Sequence, residues 1–205
     1  MKNLYWNYFI AIERDFENLS RYVEFSEKNY DTFSIELARL LIASSSETEV
    51  VLKDLCKIID NSFLNIKKPN IMDIKNLITK HCKNLIVEPF YIDRYDIKRQ
   101  PFINWKSNIT LKWWDSYNNV KHNRNSNFNE ANLRNVIDAM GALLISNFYY
   151  QLYSKHFYSE DGITIDRVLG ELEPRSLFLR LENDYYPSSL LIDKAPKLYG
   201  EEGSI

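Results

Sequence analysis

Glycine and proline are scarce in this chain of 205 residues, at five and six respectively, and it holds two cysteines and three histidines. Two cysteines cannot build the disulfide framework of a small secreted domain, and Cys56 and Cys82 sit in helix-like contexts where a thiol serves as a small buried hydrophobe. His81 and Cys82 are adjacent, so on a helix their side chains diverge, and no third ligand is spaced to make a zinc site. The glycines, Gly141, Gly162, Gly170, Gly200 and Gly203, cannot be assembled into a phosphate-cradling loop, which argues against the classical nucleotide-dependent enzymes. Long apolar runs are missing as well: Leu40 to Ala43 and Met140 to Ile145 fall far short of the roughly 20 residues that cross a bilayer. The first residues, with Tyr5, Trp6, Asn7, Glu13 and Asp15, lack a signal-peptide pattern. The expectation is a soluble, cytoplasmic protein without metal or cofactor.

What the chain does have is apolar mass, 45% of its residues, enough for one packed core. Its formal net charge of -2 hides an uneven distribution. Residues 91 to 125 carry seven bases against three acids, whereas residues 159 to 205 carry ten acids against five bases. A basic middle and an acidic tail cancel in the total, so the total says nothing against an anionic partner.

Apolar residues recur at helical spacing over 4 to 29 (Leu4, Tyr8, Ile12, Phe16, Leu19, Val23). Ser34 is the predicted N-cap of a second helix running to about Asn61. Asn70 or Asp73 opens a third, through Ile74, Leu77 and Ile78 to about Leu85. Between Pro89 and Pro101 the period changes to an alternation of Phe90, Ile92, Tyr95 and Ile97, which predicts a small hairpin or irregular crossover. Ser107 or Thr110 opens a fourth helix that stops near Asn123, and Asn127 or Asn129 caps a fifth that runs to about His156. After Gly162 only a short strand around Leu177, Leu179 and Leu181 is read. The predicted class is mainly α: an antiparallel bundle of about five helices over 1 to 158 with the hairpin inserted. An acidic extension, 159 to 205, packs on or beside it.

Two places break the core pattern. The second helix is apolar at both ends, but its middle reads Ser44, Ser45, Glu47 and Thr48, a polar patch that needs partners if it faces inward. The fourth helix ends in Tyr117, Asn118, Asn119, Val120, Lys121, His122, Asn123 and Arg124. Asn118 and His122 are one turn apart there, with Lys121 and Arg124 close by. Two cations and an imidazole that exchanges protons near neutral pH form a pattern suited to phosphate. Trp113 and Trp114, just before, belong more naturally to core or interface than to base stacking.

This helix end, within an order of two long helices, a third, an insertion, the motif helix and a final long helix, resembles the HEPN superfamily of helical bacterial proteins. The similarity covers roughly residues 1 to 158. It implies an RNA-directed protein, either a metal-independent endoribonuclease or a degenerate RNA-binding relative, in toxin–antitoxin or phage-defence systems. It further implies a homodimer that assembles its site from two subunits, and an antitoxin or other protein partner. The family's polar position falls on Asn118 and its catalytic histidine on His122, but its arginine position holds Tyr117, which cannot supply a fixed positive charge. Lys121 and Arg124 are then the phosphate-binding cations, and Glu47 is expected to lie against Lys121 or His122 as a supporting carboxylate. The competing reading is a non-enzymatic helical module for protein interaction.

Overall fold

The computed structural model describes residues 3–154, 158–159, 162–163, 168–170, 172–182 and 185. It is mainly α. Five helices of eleven residues or more are present among the described residues: α1 (Leu4–Leu19), α2 (Ile35–Ile59), α3 (Ile71–His81), α5 (Lys112–His122) and α7 (Leu133–Ser154). Two short ones, α4 (Lys83–Val87) and α6 (Arg124–Asn127), continue α3 and α5 after a break.

The first helix stops ten residues earlier than its periodicity predicts. Beyond Leu19 the chain turns back, and Phe25 packs on Phe16 with ring centroids 4.8 Å apart. Apolar residues of a returning loop had imitated a longer helix. The second helix matches its expected span: the Ser34 hydroxyl accepts the Leu37 N–H at 3.1 Å, and no glycine or proline interrupts it. Asn70 caps α3 through a reciprocal pairing with Asp73, but the helix breaks at Cys82 and does not run on to Leu85. Neither Ser107 nor Thr110 caps α5, which begins at Lys112 with Leu111 in the capping position. The last helix is capped not by Asn127 or Asn129 but by Asn132, whose side chain accepts the Asn135 N–H at 3.1 Å. A 3-10 turn over Phe128–Glu130 takes up the intervening residues.

The core is built on α2 and α7, the most extensively packed pair of elements. The final helix is buried on nearly all sides, including Asn135, Ser146, Asn147 and Gln151, so it is the centre of the bundle. On α2, Leu37, Leu41, Val51, Leu52 and Leu55 are buried in the same core. Both α1 and α5 touch this pair, and α3 packs on α2. Two residues of the polar patch of α2 are satisfied by their own helix, while the buried Ser45 hydroxyl has no hydrogen-bond partner among the described residues. The Ser44 hydroxyl donates to the Leu40 carbonyl at 2.7 Å and the Thr48 hydroxyl to the Ser44 carbonyl at 2.8 Å.

The predicted hairpin is present, as β1 (Phe90–Ile92) and β2 (Ile97–Arg99), antiparallel with Phe90 opposite Arg99 and Ile92 opposite Ile97. It is fixed to α7 in two ways. A Cβ on Gly141 would lie 2.1 Å from the Phe90 ring, so only glycine lets the strand approach this closely. Arg99 and Asp138 form a two-pronged ion pair at 2.5 and 2.7 Å.

The described part of the acidic extension joins the same core through Leu172, Leu179 and Leu181. Its anchor is Glu13 of α1, a buried carboxylate that accepts the N–H groups of Leu179 at 2.9 Å and Phe178 at 3.2 Å, and the Ser176 hydroxyl. Burial pushes the Glu13 carboxyl up, against the opposing pull of these donors. In place of the expected strand over 177 to 181 there is a single bridge, in which Arg180 and Tyr91 exchange backbone hydrogen bonds at 2.8 and 3.0 Å. Leu177, which the alternation would turn inward, is exposed. The chain also pairs Tyr158–Ser159 with Gly162–Ile163, a two-residue ladder not anticipated from the pattern, designated β3 and β4. The residues just past Ser154, where the last helix was expected to reach His156, lie outside the described residues.

Candidate functional site

Both ends of α5 carry cations, but the surroundings differ. At the C-terminal end, Lys121, His122 and Arg124 are exposed, as are Asn123 and Asn125. The Lys121 ammonium donates to the Tyr117 hydroxyl at 2.9 Å, and this contact raises its affinity for the proton. Tyr117 itself is fully buried, with its ring 5.2 Å from that of Trp114. It fills a core position and holds Lys121 both by its phenolic oxygen and by its ring, whose centroid lies 5.1 Å from the ammonium. Asn118 donates to the carbonyl of Trp114 at 3.0 Å, within its own helix. Among the described residues no hydrogen bond orients His122, and no carboxylate lies within ion-pair distance of Lys121, His122 or Arg124.

Glu47 is not joined to this end. It is half-buried, its carboxyl is pushed up by desolvation, and the charge it exerts is felt by Tyr5 of α1. The carboxylate whose charge reaches Lys121 is Glu49, which also pairs with Lys53 at 2.6 Å. Residues two apart on a helix point about 200° away from each other, so the same stretch of α2 offers Glu49 to α5 and Glu47 to α1. The helical rows read from the sequence place both residues mid-helix but cannot orient them toward a neighbour.

The N-terminal end of α5, about 15 Å away at 1.5 Å per residue, opens into a cleft of about 710 Å³. It is lined by the hairpin, the start of α5 and the start of α7, and holds four cations, Lys98, Arg99, Lys112 and Arg134, against the single carboxylate of Asp138. No side chain caps the first turn of α5. Trp113, expected to belong to core or interface, is buried here with its ring N–H on the Pro101 carbonyl at 3.0 Å, and Trp114 is buried behind it. The other face of the hairpin borders a cleft of about 600 Å³ in which Glu24, Glu27, Asp93 and Asp96 outnumber the bases. Sequence reading missed the basic cleft because its four cations come from segments up to 36 positions apart, with no local spacing to betray them.

Both thiols are buried, and burial pushes Cys56 up to about 12 and Cys82 up to about 11, which disfavours the nucleophilic thiolate. Among the described residues no group of three or more His, Cys, Asp or Glu is placed to hold a metal ion, and no helix is long and apolar enough to cross a membrane. The fold and these surfaces define a mainly α bundle protein with a cationic helix, exposed at one end and recessed at the other. Comparison with protein-family profiles, with curated proteins and with solved structures finds no match.

Proposed function

We propose that the protein is an RNA-directed relative of the HEPN type that binds the phosphate backbone without cleaving it. The observation that carries this reading is the exposed edge formed by Lys121, His122 and Arg124, none of which forms an ion pair among the described residues. Several other cations are by contrast held in ion pairs: Arg39 by Asp15 and Glu36, Lys57 by Asp54, Arg180 by Asp93. A row of cations left unpaired is the electrostatic footprint expected of a phosphate-binding surface.

Two features favour binding over catalysis. The arginine that would counter charge developing on a scissile phosphate is replaced by a buried tyrosine, and His122 lacks an orienting partner among the described residues. A homodimer that sets two such edges side by side, and an antitoxin or other protein partner in toxin or phage-defence biology, belong to the same reading.

The test is titration of a fluorescent oligoribonucleotide in the presence of a chelator. Binding that weakens with salt and leaves the RNA intact is expected, and the Lys121→Ala/Arg124→Ala variant should lower the slope of log affinity against log salt by roughly 1 for each phosphate contact removed. Chelator-resistant cleavage abolished by His122→Ala would replace this reading with the ribonuclease. No binding at low salt would leave the helical interaction module.

A further inference from the structure

The basic cleft at the N-terminal end of α5 has features that the RNA-binding edge lacks. It is concave, and at about 710 Å³ it falls within the range of small-molecule sites. Its key cation is Arg134. The carboxylate one turn along α7 that would neutralise it, Asp138, has both oxygens engaged by Arg99, at 2.5 and 2.7 Å. Arg134 therefore has no carboxylate partner among the described residues, yet it is not loose: its guanidinium sits 5.0 Å from the centroid of the Tyr30 ring. Arg99 rests 5.7 Å from the same ring, so one tyrosine holds two guanidinium groups in place.

Lys112, from the first turn of α5, is 71% exposed and reaches Glu130 only at 3.9 Å. The uncapped turn that carries it adds the positive end of the helix dipole to the same space. Lys98 likewise reaches a carboxylate outside the lining, Glu182 at 3.8 Å, so Arg134 is the cation left without a carboxylate and Lys112 a loosely and openly held one beside it. An uncountered guanidinium and an exposed ammonium on one concave wall match a ligand with negative charge on closely spaced oxygens, and guanidinium groups suit phosphate oxygens in particular.

We propose that this cleft is a binding site for the phosphate chain of a nucleotide-sized ligand, with Arg134 and Lys112 as the principal phosphate contacts and Arg99 held in reserve by Asp138 as the wall. The cleft's volume exceeds that of a bare diphosphate, which leaves room for an attached nucleoside. The site is separate from the RNA edge and does not depend on it.

Isothermal titration of the full chain with pyrophosphate, ADP, AMP and adenosine, at fixed ionic strength, tests the assignment. Pyrophosphate and ADP should bind, AMP more weakly and adenosine not measurably. ADP binding more tightly than pyrophosphate assigns the nucleoside to the cleft as well; equal affinities assign the phosphate chain alone to it. Arg134→Ala and Lys112→Ala, both exposed positions whose folding is checked by circular dichroism, should each weaken pyrophosphate at least tenfold, and Arg134→Lys should restore only part of the loss. Arg94→Ala, on the acidic face of the hairpin, should change nothing. Absence of pyrophosphate and ADP binding, or equal weakening by Arg94→Ala, would overturn the proposal. Loss of RNA binding with the phosphate ligands still bound would strike only the RNA reading.

Discussion

The two ends of α5 are one helix in two settings. The C-terminal end carries the recognisable string of residues and has its cations exposed to water, where each interaction with a phosphate is screened. The N-terminal end carries no string at all, yet the hairpin and α7 close round it and make a concave, positively charged space. A local motif and a built site are therefore different things: the first is a property of neighbours in sequence, and the second depends on which distant segments the core brings together.

The change expected to break this contrast most severely is Gly141→Ala. The new methyl would meet the Phe90 ring at 2.1 Å, so the hairpin must be displaced, at a cost of about 3 kcal/mol by analogy with overpacked cores. Urea unfolding should show the loss, and phosphate binding in the cleft should fall while RNA affinity at the other end stays within twofold.

Asp138→Ala comes next. It strands the guanidinium of Arg99, only 27% exposed, and should destabilise by about 2 kcal/mol, less than a fully buried pair because water reaches this one. It also removes the cleft's one carboxylate, so pyrophosphate should bind several-fold more tightly. That result would sharpen the difference between the two ends, and weaker binding would contradict it.

A smaller effect concerns the segment docked beside the hairpin. The folded-state pKa of Glu13 is raised above the unfolded value, so the native state binds more protons there. Its contribution to stability is fully present below the ordinary glutamate range, about 4.3, and is lost as the pH rises through the raised value. Glu13→Gln keeps an acceptor oxygen and removes this dependence, so the variant should gain stability relative to the parent as pH increases, measured by urea midpoints. A constant difference between the two across pH would refute the assignment. The smallest effect belongs to His122→Ala, which touches nothing in the core and should shift stability by no more than about 0.5 kcal/mol while lowering RNA affinity less than tenfold.

The predictability of each feature from sequence follows from the range of the forces involved. Ser34 and Asn70 were readable as caps because capping is settled within four residues. The hairpin was readable because alternation between two prolines has a period of its own. Asn132 was missed because a 3-10 turn intervened, and local pattern does not say how a chain spends three residues before a helix. Glu47 was assigned to the wrong neighbour because a helical row gives the face but not what packs on it.

By itself, then, the sequence determined the class of fold, the long helices, the hairpin and the exposed cationic end of α5, all of them consequences of periodicity, capping and local charge. Only the tertiary structure decided that Tyr117 is a core residue, that Glu49 rather than Glu47 acts on Lys121, and that Lys98, Arg99, Lys112 and Arg134 share one cleft. Those outcomes depend on how α7, buried on nearly all sides, orients the segments around it, and packing of that kind is a property of the whole core rather than of any stretch of chain.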